Sequence, residues 1–137
     1  MMKNKKFNSG DVGRKYDFED FIEIIADLRA PDGCPWDISQ THESLKECLV
    51  EESGEVIAAI DNKDDDNLCE ELGDVLLQVV MHAQIAAEEG RFTIDDVIQC
   101  VSEKMIRRHP HVFGDVKVSS PEESLALWKE IKKQEKA

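Results

Sequence analysis

The sequence predicts an all-α protein, a helical bundle of about five helices. Apolar residues recur at helical spacing through five separate segments, and no stretch of useful length alternates apolar with polar residues as a strand does. The segments are joined by short runs carrying Pro, Gly, Asp, Asn, Ser or Thr at positions suited to starting or stopping a helix. At 137 residues the chain has the length of one core. Residues 16–137 are therefore read as a single domain behind a mobile basic lead-in, residues 1–15, which shows no periodicity.

The first helix carries Phe18, Phe21, Ile22, Ile25 and Leu28 on one face and stops at Pro31-Asp32-Gly33. Cys34-Pro35-Trp36-Asp37-Ile38-Ser39-Gln40 reads as a structured loop, with Ser39 or Thr41 placed to cap the next helix. That second helix is expected over 43–60, with Leu45, Cys48, Leu49, Val56, Ala59 and Ile60 sharing a face. The acidic run 61–67 breaks it; this run lacks the glycine and ligand spacing of a calcium loop and is read as a solvated turn. The third helix, over 67–89, is the longest and most apolar, and Gly90 closes it. Thr93 caps a fourth helix that buries Ile94, Val97, Ile98, Val101 and Met105 before Pro110, and Pro121 opens a fifth with Leu125, Leu127, Trp128 and Ile131. Only 112–118 is short and irregular enough to run extended.

Charge narrows the function. Thirty acidic against seventeen basic side chains leave a net charge of -13, so the protein's own field opposes a nucleic-acid polymer. A phosphorylated ligand needs divalent cations or a local basic patch to approach. Cys34, Cys48, Cys69 and Cys100 are widely spaced with no C-x-x-C pair, which argues for reduced thiols. The basic start lacks an apolar signal region, and no apolar run approaches the ~20 residues that span a bilayer, so no membrane partner and a cytoplasmic location are expected.

On a helical wheel with Leu45 as zero, Glu52 falls near the centre of the apolar stripe, Glu55 at its edge and Glu51 further out. On the third helix Glu71 and Asp74 are also three apart, with Gln78 and His82 continuing their flank. Glutamate is a common helix former, and E-E-x-x-E by itself occurs on many solvated helices. Inward placement separates the two cases, because unpaired carboxylates close together in a core cost several kcal/mol unless neutralised. Lys46 and Lys63 project elsewhere, so a hard divalent metal held by Glu52, Glu55, Glu71 and Asp74 is the simplest compensation, and oxygen donors favour Mg²⁺ or Mn²⁺ over zinc.

Beyond these pairs, the chain carries Cys34-Pro35-Trp36-Asp37 with Gln40-Thr41-His42, Glu51-Glu52-Ser53-Gly54-Glu55, Glu71-Leu72-Gly73-Asp74, and Arg107-Arg108-His109-Pro110-His111-Val112-Phe113-Gly114-Asp115. In this set it resembles the MazG-type nucleoside triphosphate pyrophosphohydrolases. The resemblance implies Mg²⁺-dependent cleavage between the α and β phosphorus atoms, giving a nucleoside monophosphate and pyrophosphate, as in housecleaning of the nucleotide pool. It further implies Glu52, Glu55, Glu71 and Asp74 as metal ligands, Glu51 and Glu52 as catalytic groups with Glu51 orienting water or a ligand, and Lys104, Arg108, Trp128 and Lys132 as nucleotide contacts. The two pairs Lys104/Arg108 and Trp128/Lys132 are each four apart, compatible with shared helix faces. Packing of Trp128 into the bundle is the competing reading of that residue. The same resemblance, with the apolar third helix, points to a homodimer or higher homo-oligomer formed through that helix.

His109 and His111 flank Pro110 at a helix end, where capping is expected, and His42 and His82 are read as hydrogen-bonded rather than ligating. Two alternatives stand beside the enzyme: a non-catalytic helical assembly module with a regulatory Mg²⁺ site, and a related all-α phosphohydrolase with a different nucleotide substrate.

Overall fold

The computed structural model of the protein describes residues 6–136. It contains α1 (Phe18–Leu28), α2 (Pro35–Ile38), α3 (Lys46–Asp61), α4 (Asp65–Glu88), α5 (Ile94–Arg107), α6 (Pro110–Phe113) and α7 (Pro121–Glu135), with no strand among the described residues. The all-α class and the five expected helices are present. The two additional helices are single turns opened by Pro35 and Pro110, whose fixed φ and missing N–H suit a first helical position. One of them takes up the start of the 112–118 stretch, in place of the extended run expected there.

Local chemistry sets most helix ends. Asp17 with Asp20 and Thr93 with Asp96 form capping boxes on α1 and α5, while Asp64 and Ser120 cap α4 and α7. The second expected helix begins three residues late because Thr41 and Ser44 exchange side-chain to backbone hydrogen bonds in a separate turn. Helices α3 and α4 end alike. The amides of Lys63 and Asp64 reach back to Ile60 and Ala59, and those of Gly90 and Arg91 to Ala87 and Ala86, a doubly bonded left-handed stop. Gly90 meets its positive φ of 70° without a Cβ, whereas Lys63 occupies the same geometry at 53°.

The chain divides into two compact units, Met1–Arg91 and Phe92–Ala137. In the first, α3 and α4 form a helical hairpin and α1 packs on α4. Its core gathers Ile25, Leu45 and Ala59 around Val80, Met81, Ala83, Ile85 and Ala86 of α4. Arg29 fastens this end of the unit. Its nearly buried guanidinium forks onto Glu88 and donates through Nη1 to the carbonyls of Asp37 and Gln40, joining α1, the Cys34–Gln40 segment and α4. Gly33 is required there for closeness: a Cβ would lie 2.3 Å from the Leu28 carbonyl oxygen. Of the basic lead-in, residues 1–5, with Lys3 and Lys5, lie outside the described residues. Lys6 pairs with Asp20 and Glu23, and Arg14 stacks over Phe7 and Tyr16.

The second unit holds α5, α6 and α7, none of whose helical residues is fully buried, and Ile98, Val101 and Met105, expected to be buried, are exposed. His109 caps the corner between α5 and α6, its Nδ1 bonding the Met105 carbonyl at 2.6 Å, the capping role expected from its position.

Candidate active site

The hairpin places the acids. Each helix rises about 1.5 Å per residue away from the turn centred on Lys63, so position 52 falls across from position 74, and 55 across from 71. One carboxylate oxygen each from Glu52, Glu71 and Asp74 lies within 4.8 Å of the others, and all three side chains are half-buried. Burial first, then the negative charges of Asp74, Glu52, Glu55 and Glu70, hold the Glu71 carboxyl above its usual range. Among the described residues no Lys, Arg or His bonds to any of these acids. Three clustered oxygen donors with no protein cation beside them have the chemistry that suits a hard divalent ion.

Two sequence expectations change in detail. The wheel aimed Glu55 toward the core edge with the other three acids, but Glu55 is exposed and stands outside the converging set, acting on Glu71 through its charge. The sheltered line of α3 runs Leu45, Cys48, Glu52, Val56, Ala59, while Leu49 and Ile60, counted in the stripe, face outward. That line centres on Glu52 and leaves Glu55 roughly 60° to one side. Glu51 is exposed as well and lines a depression with Lys46, Glu47 and Val50.

Histidines 42 and 82, expected to be hydrogen-bonded, find their partner in each other. Their rings stack at 5.0 Å with an Nδ1 to Nδ1 distance of 2.7 Å, and burial followed by the His42 charge lowers the pKa of His82. Arg91 donates to His42 Nε2, so His42 carries its proton on Nδ1 and donates it to His82. The four cysteines are free thiols. Trp36 is exposed, outside the core of the first unit.

In the second unit the structure brings Arg108, Trp128 and Lys132 together. The Arg108 guanidinium lies 5.5 Å and the Lys132 ammonium 4.9 Å from the centre of the half-buried Trp128 ring. Lys104 lies one turn before Arg108 and lines a depression of about 400 Å³ with Phe92, Asp96, Val97, Cys100 and Val101. Sequence reasoning missed Arg107 and Glu135. Glu135 accepts hydrogen bonds from both Arg107 and Arg108, and its position seven residues after Trp128 and three after Lys132 is the signal that marks it for the same helix face.

A family model described as the MazG nucleotide pyrophosphohydrolase domain matches residues 40–113, more than half of the chain. The chain belongs to the MazG family. The matched span contains the four acids of the hairpin together with Lys104 and Arg108. The nucleoside triphosphate pyrophosphohydrolase/pyrophosphatase MazG of Thermotoga maritima is 61% identical over 119 residues, 87% of this chain and 45% of that protein. The nucleoside triphosphate pyrophosphohydrolase of Escherichia coli is 47% identical over 117 residues, 85% of this chain and 44% of that protein. The uncharacterized protein YabN of Bacillus subtilis is 60% identical over 121 residues, 88% of this chain and 25% of that one. The chain thus spans a quarter to about half of the length of these curated relatives. In structure, the MazG fold is shared with a crystal structure of a mazG-related protein from Thermotoga maritima, 37% identical, with a TM-score of 0.68 over 84% of this chain and 98% of that one.

Proposed function

We propose that this chain is a Mg²⁺-dependent nucleoside triphosphate pyrophosphohydrolase that cleaves the α–β phosphoanhydride to yield a nucleoside monophosphate and pyrophosphate. The observation that carries the reading is the convergence of Glu52, Glu71 and Asp74 in a MazG hairpin. These three acids, with Glu55 as the fourth, would hold the metal, which supplies charge neutralisation for the phosphate chain and activation of water. Glu52 would be both ligand and catalytic group, and Glu51 would orient water from outside the cluster. Arg108 and Lys132 would meet phosphate charge, Trp128 would offer its ring to the base, and Lys104 would add a cation one turn before Arg108. With a net charge of -13 the protein otherwise repels its substrate, so these cations and the metal carry its recruitment.

The reading includes nucleotide-pool housecleaning in the cytoplasm, where the four thiols stay reduced. No described helix is long and apolar enough to cross a membrane. It also includes a homo-oligomer. Leu72, Leu76 and Val79 form an exposed apolar row on α4, the helix expected to join copies of the chain. Incubation with Mg²⁺ and a panel of ribo- and deoxyribonucleoside triphosphates, followed by chromatography, should show monophosphate and pyrophosphate in equal amounts. Absence of turnover with every nucleotide, or release of orthophosphate instead, would refute the activity. A monomeric mass by light scattering at micromolar protein would refute the assembly.

A further inference from the structure

The last turn of α7 closes on the corner after α5. Arg107 donates from Nε and Nη2 to Glu135 Oε1 at 3.1 and 2.7 Å, while Arg108 donates from Nε to Oε2 at 3.1 Å and from Nη2 to Oε1 at 3.5 Å. Arg108 and Glu135 are sheltered, their side chains 13% and 22% exposed, whereas Arg107 is half exposed. The two guanidiniums, Arg107 first, hold the Glu135 carboxyl down to about 2, so it is an anion at any working pH.

Two adjacent guanidiniums repel one another and, on long flexible stems, would spread into solvent. One carboxylate between them reverses that tendency and fixes the Arg108 plane near the Trp128 ring. The Nη1 group of Arg108 makes no bond among the described residues, so one edge of the fork is left to donate to a further anion. Trp128, Lys132 and Glu135 succeed one another at spacings of four and three, and so present ring, ammonium and anchoring carboxylate on one face of α7.

We propose that Glu135 is a positioning residue for nucleotide binding: by bonding Arg107 and Arg108 together it holds the Arg108 guanidinium against Trp128 with its remaining edge open to a phosphate oxygen. This rests on the reading of Arg108 and Trp128 as nucleotide contacts and extends it to a residue that touches no substrate. Its effect therefore passes through Arg108.

The experiment uses the full chain with Mg²⁺ and the triphosphate turned over fastest in the panel. Glu135→Gln should raise KM about three- to tenfold with kcat within twofold, and Glu135→Asp, which keeps the charge, should recover part of the loss. In an Arg108→Ala background Glu135→Gln should add nothing to KM. In a Trp36→Phe background Glu135→Gln should shift the Trp128 emission without nucleotide, at unchanged helix content by circular dichroism. An unchanged KM, a lower KM, or an equal effect of Glu135→Gln with and without Arg108 would overturn the proposal, the last by showing only a clasp between α5 and α7. If Arg108→Ala leaves KM unchanged, the underlying assignment of Arg108 fails and the positioning role falls with it. Unmoved Trp128 emission, with a KM that does depend on Arg108, overturns the positioning of Arg108 alone.

Discussion

Replacing Glu71 by Gln removes one charge from the acidic cluster while preserving its shape, and the outcome separates a metal site from a chance grouping of acids. Magnesium bonds oxygen at about 2.1 Å, so two opposed ligands sit about 4.2 Å apart. Adjacent ligands sit about 3.0 Å apart, so three oxygens that lie within 4.8 Å of one another close on one ion with side-chain adjustments of about an ångström or less each. An ion that binds only the folded protein adds about 1.4 kcal/mol at ten times its dissociation constant and about 2.7 kcal/mol at a hundred times. With an unfolding entropy of about 2.1 cal/mol/K per residue over 137 residues, those stabilities correspond to melting shifts of about 5 and 9 °C. The assay is a thermal melt in chelator and across a MgCl₂ series, with ionic strength held constant so that general screening drops out. Glu71→Gln should melt no lower than the parent in chelator, since repulsion is relieved. It should also lose most of the Mg²⁺ shift and nearly all turnover. The exposed neighbour Glu70→Gln carries the same charge change outside the cluster and should retain the shift. A variant at position 71 that melts lower in chelator yet keeps the full Mg²⁺ response would refute the reasoning.

The paired helix stops give an opposed pair of substitutions: Lys63→Gly should stabilise by roughly 0.5–1 kcal/mol, and Gly90→Ala should destabilise by about 1 kcal/mol, both read from urea midpoints. No atom lies near the Cβ position of Gly90, so conformation alone sets that cost. Arg29→Ala should cost about 2 kcal/mol, because it leaves the Asp37 and Gln40 carbonyls without their donor, and Arg29→Lys should recover only part because an ammonium cannot fork onto Glu88. Glu135, lowered from 4.5 to about 2 by Arg107 and Arg108, contributes stability that is full above about pH 4.5 and lost as pH falls toward 2. The difference in urea midpoint between parent and Glu135→Gln should shrink across that window; a difference constant with pH would contradict the pairing.

Much of the fold was legible because its signals are local. Thr93 and Gly90 announce helix ends through bonds made within four residues, Pro121 opens the last helix by its fixed φ, and the apolar spacing of 18–28 and 94–105 needs no partner to be read. The late start of α3 was hidden because Thr41 and Ser44 satisfy each other in a turn that competes with the helix. In the site, Glu52, Glu71 and Asp74 were legible as paired acids on neighbouring helices. The outward turn of Glu55 was not, since it lies at the border of the stripe, where the wheel gives only an angle and the rotation of α3 against α4 decides exposure. Glu135 was overlooked because its partners Arg107 and Arg108 lie more than twenty-five residues away.

The sequence by itself determined the helices, their order, the family to which the chain belongs and the pool of side chains from which the site is drawn. Each of these depends on spacing and capping along a continuous stretch of backbone. Which acids converge, and which carboxylate holds the arginines beside Trp128, was decided only by the tertiary structure. Those juxtapositions depend on the rotation and register of one helix against another, set by packing among residues distant in the chain.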